Sequence, residues 1–221
     1  MATQSDTHAW FDSFESDELF ALAQLDLEKG NTGEALWKLK RLTDAADTPP
    51  GVFSVCGQIY VQLGLWDRAQ QMFQKHLVLH PESVGEMFQM GLAHSNAGRG
   101  SEAMKIWDNL LQKYPTYPPA LFYRALMRAN QGQIAAARND LDVLVKYAAV
   151  DNPFFKQAKE LLQNLDFQMR SANASAAAAP AAAIATTKPD APAKPAAPAK
   201  PAAPDVLTAR ARNAYKTEPK E

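Results

Sequence analysis

Between residues 16 and 148 apolar positions recur three and four residues apart, and the whole pattern then repeats. Leu19, Leu22 and Ala23 are followed by Ala35 and Leu39; Phe53, Cys56, Gly57 and Tyr60 by Ala69 and Phe73. Met87, Met90, Gly91 and His94 are followed by Ala103 and Trp107, and Leu121, Arg124 and Ala125 by Ala137 and Leu141. Spacings of three and four place such residues on one stripe of an α-helix. Each set therefore predicts two amphipathic helices joined by a turn. The turns are marked by Gly30, Gly64, Gly98 and Gly132, which fall 34 residues apart, and Ala35, Ala69, Ala103 and Ala137 keep the same step. Helices are predicted near 16–29, 33–46, 50–63, 67–80, 84–97, 101–114, 118–131 and 135–148. A period of this length predicts stacked helix-turn-helix units in which glycine ends the first helix and alanine permits close approach of the second.

The residues inside the period resemble the tetratricopeptide repeat, with its W-x2-L-G-x2-Y, A-x3-F and P pattern. Phe53, Cys56, Gly57, Tyr60, Ala69, Phe73 and Pro81 follow it through the second unit, and Met87, Met90, Gly91, His94, Ala103, Trp107 and Pro115 through the third. The first and fourth are looser. The first lacks a proline in register, which suggests an altered exit near Thr48, Pro49 and Pro50. The resemblance implies an all-α fold, a right-handed superhelical solenoid of four repeats at about 16–49, 50–83, 84–117 and 118–151.

Flanking segments read differently. Residues 1–15 form a leader in which Trp10, Phe11 and Phe14 have helical spacing, predicting either a strap over the open end of the first repeat or a self-association surface. After Asp151 and Asn152, Pro153 suits a helix start, and Phe154, Phe155, Ala158, Leu161, Leu162 and Leu165 predict a cap helix over 153–170. Residues 171–221 are rich in Ala, Pro and Lys, a composition predicting a disordered spacer. Its last stretch, 205–221, regains Val206, Leu207 and Tyr215 among basic residues.

Charge narrows the partners. Residues 1–170 carry an excess of four acidic side chains and residues 171–221 an excess of three basic ones, neither dense enough for a nucleic-acid binder. No apolar run is long enough for a membrane span, and the N-terminus lacks a secretory pattern, so cytoplasmic residence is expected. Cys56 is the single cysteine and falls on a packing position. No phosphate loop or nucleophilic triad is present, and the expectation is of no enzyme activity and no cofactor. His76 and His80 have metal-ligand spacing with His94 nearby, but no further ligand is arranged with them, so no metal site is expected.

Two sets of residues remain. The seventh and twenty-third residues of a repeat face one another across its two helices. Arg124 meets Asp140 there, predicting a structural ion pair because a lone buried guanidinium would be costly. The resemblance also implies a concave groove lined by the first helix of each repeat. Carried onto this chain, the peptide-binding residues are Phe20, Gln24, Gln58, Gln62, Phe88, Leu92, Asn96, Phe122, Leu126 and Asn130. Aromatic and aliphatic anchors stand among amides, and the lysine and arginine clamp of carboxylate-gripping relatives is missing. The expected function is a non-catalytic scaffold or adaptor holding a protein or peptide partner. The alternative is a dedicated chaperone of secreted clients, like the short tetratricopeptide chaperones of type III secretion.

Overall fold

The computed structural model describes residues 14–177, with side chains to Ser171, and the described residues are helical without strands. Trp10, Phe11 and the stretch after Ala177, including 205–221, lie outside them. The helices are α1 Ser16–Glu28, α2 Thr32–Leu42, α3 Val52–Gln62, α4 Trp66–Leu79, α5 Val84–Asn96, α6 Gly100–Lys113, α7 Pro118–Asn130, α8 Ile134–Tyr147 and α9 Pro153–Ala177. Two compact units divide at Ala149 and Val150. In the first, α1–α2, α3–α4, α5–α6 and α7–α8 are antiparallel hairpins, and the second helix of each packs on the first helix of the next. That is a helical-repeat solenoid.

Each hairpin turns through the same hydrogen bonds. Gly30, Gly64, Gly98 and Gly132 have φ of 80°, 70°, 77° and 75°. In the first turn the Gly30 amide donates to the Leu27 carbonyl at 3.0 Å and the Asn31 amide to Asp26 at 2.8 Å. Leu65 to Tyr60, Arg99 to His94 and Gln133 to Arg128 repeat the longer bond. This is a Schellman closure, which needs a left-handed residue just past the helix and so favours glycine. It also satisfies carbonyls that the helix end leaves without partners.

Packing across each hairpin is matched in size. Gly57 faces Phe73 and Gly91 faces Trp107; a Cβ on Gly57 would stand 2.5 Å from the Phe73 ring, and one on Gly91 would overlap the indole. At the equivalent places repeats one and four use Ala23 with Leu39 and Ala125 with Leu141. All four partners on the second helices are fully buried. The larger side chain on one helix is thus accommodated by removal of a methyl from the other.

The exit from repeat one differs from the others. Helix α2 stops at Leu42, short of the predicted 46, and the Thr48 hydroxyl shares its one hydrogen between the carbonyls of Leu42 at 2.8 Å and Ala45 at 2.9 Å. Pro49 and Pro50 follow, and Gly51, at φ 91°, leads into α3. Phe14 packs on the core made by Leu19, Ala23, Leu39, Leu42, Val52, Cys56 and Ile59.

In the second unit the Asn152 carboxamide oxygen accepts the Phe154 amide at 2.9 Å, starting α9 beside Pro153. The helix is described to Ala177, beyond the 153–170 predicted, and the alanines after Ser171 are strong helix formers that favour its continuation.

Candidate protein-interaction face

The first helix of each repeat turns one side to its own second helix and another side outward. On the outward side, Gln24 and Gln58 occupy the ninth position of repeats one and two and are exposed. Gln62, Asn96 and Asn130 share the thirteenth position on α3, α5 and α7; Gln62 and Asn130 are exposed and Asn96 is half-buried. Phe122 and Leu126, one turn apart on α7, are half-buried, with Phe122 edge-on to Tyr123 at 5.7 Å. Phe20 is half-buried beside Gly51 and the repeat-one core.

Phe88 and Leu92 do not belong with these residues. Both are 3% exposed. The Phe88 ring lies 6.3 Å from Trp107, 6.1 Å from Tyr117 and 5.4 Å from Tyr123, so aromatics of its own repeat and of repeat four cover it. A side chain enclosed in this way packs the array and offers no surface to a peptide.

Polar contacts tie the neighbouring first helices. The Ser54 hydroxyl on α3 donates to Glu86 on α5 at 2.6 Å, and the Gln58 amide donates to Ser54 at 3.4 Å. At the outer turns, Arg99 bonds Asp67 at 2.6 Å and the Tyr114 hydroxyl donates to Glu82 at 2.9 Å. Each joins repeat two to repeat three.

Arg124 and Asp140 meet in a two-bond fork, with Nη2 at 2.6 Å and Nε at 3.0 Å from the carboxylate. Two further residues close the network. Arg128 reaches Asp140 at 2.7 Å, and Asp108 on α6 accepts from Arg124 at 2.7 Å. Desolvation pulls the Arg124 pKa down, but the hydrogen bonds and charges of Asp140 and Asp108 outweigh it and leave the pKa above the ordinary arginine value. Since α6, α7 and α8 each contribute, the network links repeats three and four. Sequence spacing pointed to Arg124 and Asp140; Asp108 was missed because its partner lies in the next repeat.

A second ionic contact was missed altogether. Lys38 on α2 is buried and bonds Asp26 on α1 at 2.5 Å. The available signal was the exchange of charge between the eleventh and twenty-third positions of repeats one and four.

Among the described residues no group of three or more His, Cys, Asp or Glu is placed to hold a metal, and no helix is long and apolar enough to cross a membrane. Burial pushes the Cys56 thiol up to about 12, opposite to what a reactive cysteine needs.

A family model described as tetratricopeptide repeat matches residues 87–117, which take in most of α5 and all of α6. Residues 87–117 thus match one tetratricopeptide repeat, and the helices around them have the fold of a tetratricopeptide solenoid. Solved structures of tetratricopeptide proteins share that fold. One from Parabacteroides merdae ATCC 43184 is 17% identical, with a TM-score of 0.61, over 72% of this chain and 63% of that one. The chain thus spans less than two thirds of the Parabacteroides protein. MamA from AMB-1 is 25% identical, with a TM-score of 0.54, over 62% of this chain and 81% of its own. A MamA fragment from Desulfovibrio magneticus RS-1, beginning at residue 41, is 19% identical over 71% and 96%, with a TM-score of 0.54. No curated protein matches the sequence.

Proposed function

We propose that the chain is a non-catalytic adaptor that holds an extended segment of a partner protein along the face formed by α1, α3, α5 and α7. The observation that carries this reading is the row of Gln62, Asn96 and Asn130, one carboxamide per repeat at the same position of three successive first helices. A carboxamide both donates and accepts. A row of them therefore complements the alternating N–H and C=O groups of an extended backbone with little demand on its side chains. Phe122 and Leu126 add apolar surface at the repeat-four end, where a partner's hydrophobic side chain would be anchored. Gln24 and Gln58 extend the amide character toward repeat one. The Ala/Pro/Lys-rich sequence following α9 serves in this reading as a tether.

Photo-cross-linking in the native host tests the site. A benzophenone amino acid at Asn130 should capture a partner, whereas the same group at Asn109, exposed on the second helix of repeat three, should not. Capture at Asn109 alone would place the interaction on the opposite face and overturn the assignment. The masses captured also separate a scaffold from a chaperone: several members of one assembly support the adaptor, and a single secreted client supports the chaperone.

A further inference from the structure

Three of the four repeats place a buried leucine at the twenty-seventh position. Leu42 is 2% exposed, Leu110 1% and Leu144 0%. Repeat two has His76 there, 7% exposed, on α4 where it meets α5. Its Nε2 lies 3.1 Å from the Ser83 hydroxyl in the link to α5, and its ring centroid is 4.9 Å from that of His80. Glu86 on α5 faces the imidazole, but its carboxylate also accepts the short bond from Ser54. Helix α3, the other neighbour of α4, carries no acid, no histidine and no cation.

We propose that His76 is an acid-sensitive latch between repeats two and three, closing the junction when neutral and loosening it when protonated. A neutral imidazole fills a leucine slot and keeps one hydrogen bond to Ser83. A charged one must give up its water in the same slot, and a protonated His80 beside it adds repulsion. Burial holds the His76 pKa below 6.5, with His80 acting in the same direction and Glu86 opposing both. The opened form therefore takes up the proton first. Stability at the junction is complete above the ordinary histidine value and declines as pH falls below it toward the lower value of the closed form. His94, on α5, is also held down, first by burial and then by Arg99, and titrates in the same direction. It must be separated from His76 by experiment.

The full chain is to be followed by hydrogen exchange between pH 7.5 and 5.5, with rates corrected for intrinsic exchange, and by NMR titration of the histidine Cε1–H signals. The His76 signal should titrate below 6.5. Protection in the C-terminal half of α4 and the first turns of α5 should fall by up to about tenfold per pH unit, the limit for one proton. Repeats one and four should hold. His76→Leu, the residue its three counterparts use, and His76→Gln, which keeps a hydrogen-bonding group without the titration, should each abolish the local acid response. His94→Tyr, matching Tyr60 at the same position of repeat two, should leave it in place. A His76 signal titrating at or above 6.5 overturns the latch whatever the variants do. So does unchanged acid loss in either His76 variant.

Discussion

Lys38 and Asp140 occupy the same position, the twenty-third, in the first and fourth repeats, and each is buried against opposite charge from the eleventh position of its own repeat. Lys38 meets Asp26 at 2.5 Å, and Asp140 meets Arg128 at 2.7 Å. The polarity is reversed between them. Repeats two and three place Tyr60 with Met72 and His94 with Ile106 at these positions. One hairpin geometry thus accepts an acid-to-base pair, a base-to-acid pair or a packed pair, provided the two positions agree.

That agreement can be tested by exchange. Asp26→Lys alone and Lys38→Asp alone should each cost about 2–4 kcal/mol, because each puts like charges together in a largely buried site. The double variant restores an opposite pair with the polarity of repeat four, and chemical denaturation should show recovery of at least about half the summed loss. A strictly additive double variant would mean that the ion pair contributes nothing specific.

Asp140→Ala removes the acceptor shared by Arg124 and Arg128 and leaves Asp108 as the sole carboxylate of the network. With Asp140 6% exposed, the expected loss is about 3 kcal/mol, read from the urea midpoint. A loss below about 0.5 kcal/mol would show that water replaces the carboxylate freely.

Gly91→Ala forces a methyl into the Trp107 indole and should destabilise the chain by about 1–3 kcal/mol. Trp107→Leu leaves a cavity costing about 3 kcal/mol or more. Together they recreate the alanine and leucine pair of repeats one and four. The double variant should then be more stable than Trp107→Leu alone, as measured by thermal melting. The reverse order would dismiss the size-matching argument.

Phe88→Ala is expected to lower stability by about 3–5 kcal/mol, since the ring is enclosed by Trp107, Tyr117 and Tyr123. Circular dichroism during heating reads this directly. A melting temperature unchanged from wild type would return Phe88 to the partner-facing set.

Cys56 is fully buried, and its thiol is pushed up to about 12. Alkylation of the folded chain at pH 8 should be at least about a hundredfold slower than in denaturant, because the thiolate is the reacting species and the site must open first. Labelling at the same rate in both conditions would contradict the burial.

The repeat was legible because its punctuation is backbone chemistry. A left-handed turn calls for glycine at Gly30, Gly64, Gly98 and Gly132 whatever surrounds it, so the period survives in a single sequence. The interaction face was less legible. The pattern identifies which side of α5 carries Phe88 and Leu92, but the cover of Phe88 comes partly from Tyr123 in the next repeat, a relation that spacing within one repeat does not contain. Helix α2 was also drawn too long: the fold-back of the Thr48 hydroxyl on Leu42 is a contact that periodicity does not contain. Arg124 and Asp140 could be paired by position, while Asp108 belonged to the neighbouring hairpin.

Leu36 and Met72 pack against both the core centred on Leu39 and Cys56 and the core centred on Phe73. Neither cluster can come apart without wetting side chains that the other also uses. Each repeat therefore raises the melting cooperativity of its neighbour, and the free energy of the pair exceeds what the two hairpins would have separately. Disorder entering at repeat one meets no clean boundary at Pro50, and repeats one and two respond to heat or denaturant as a single cooperative block.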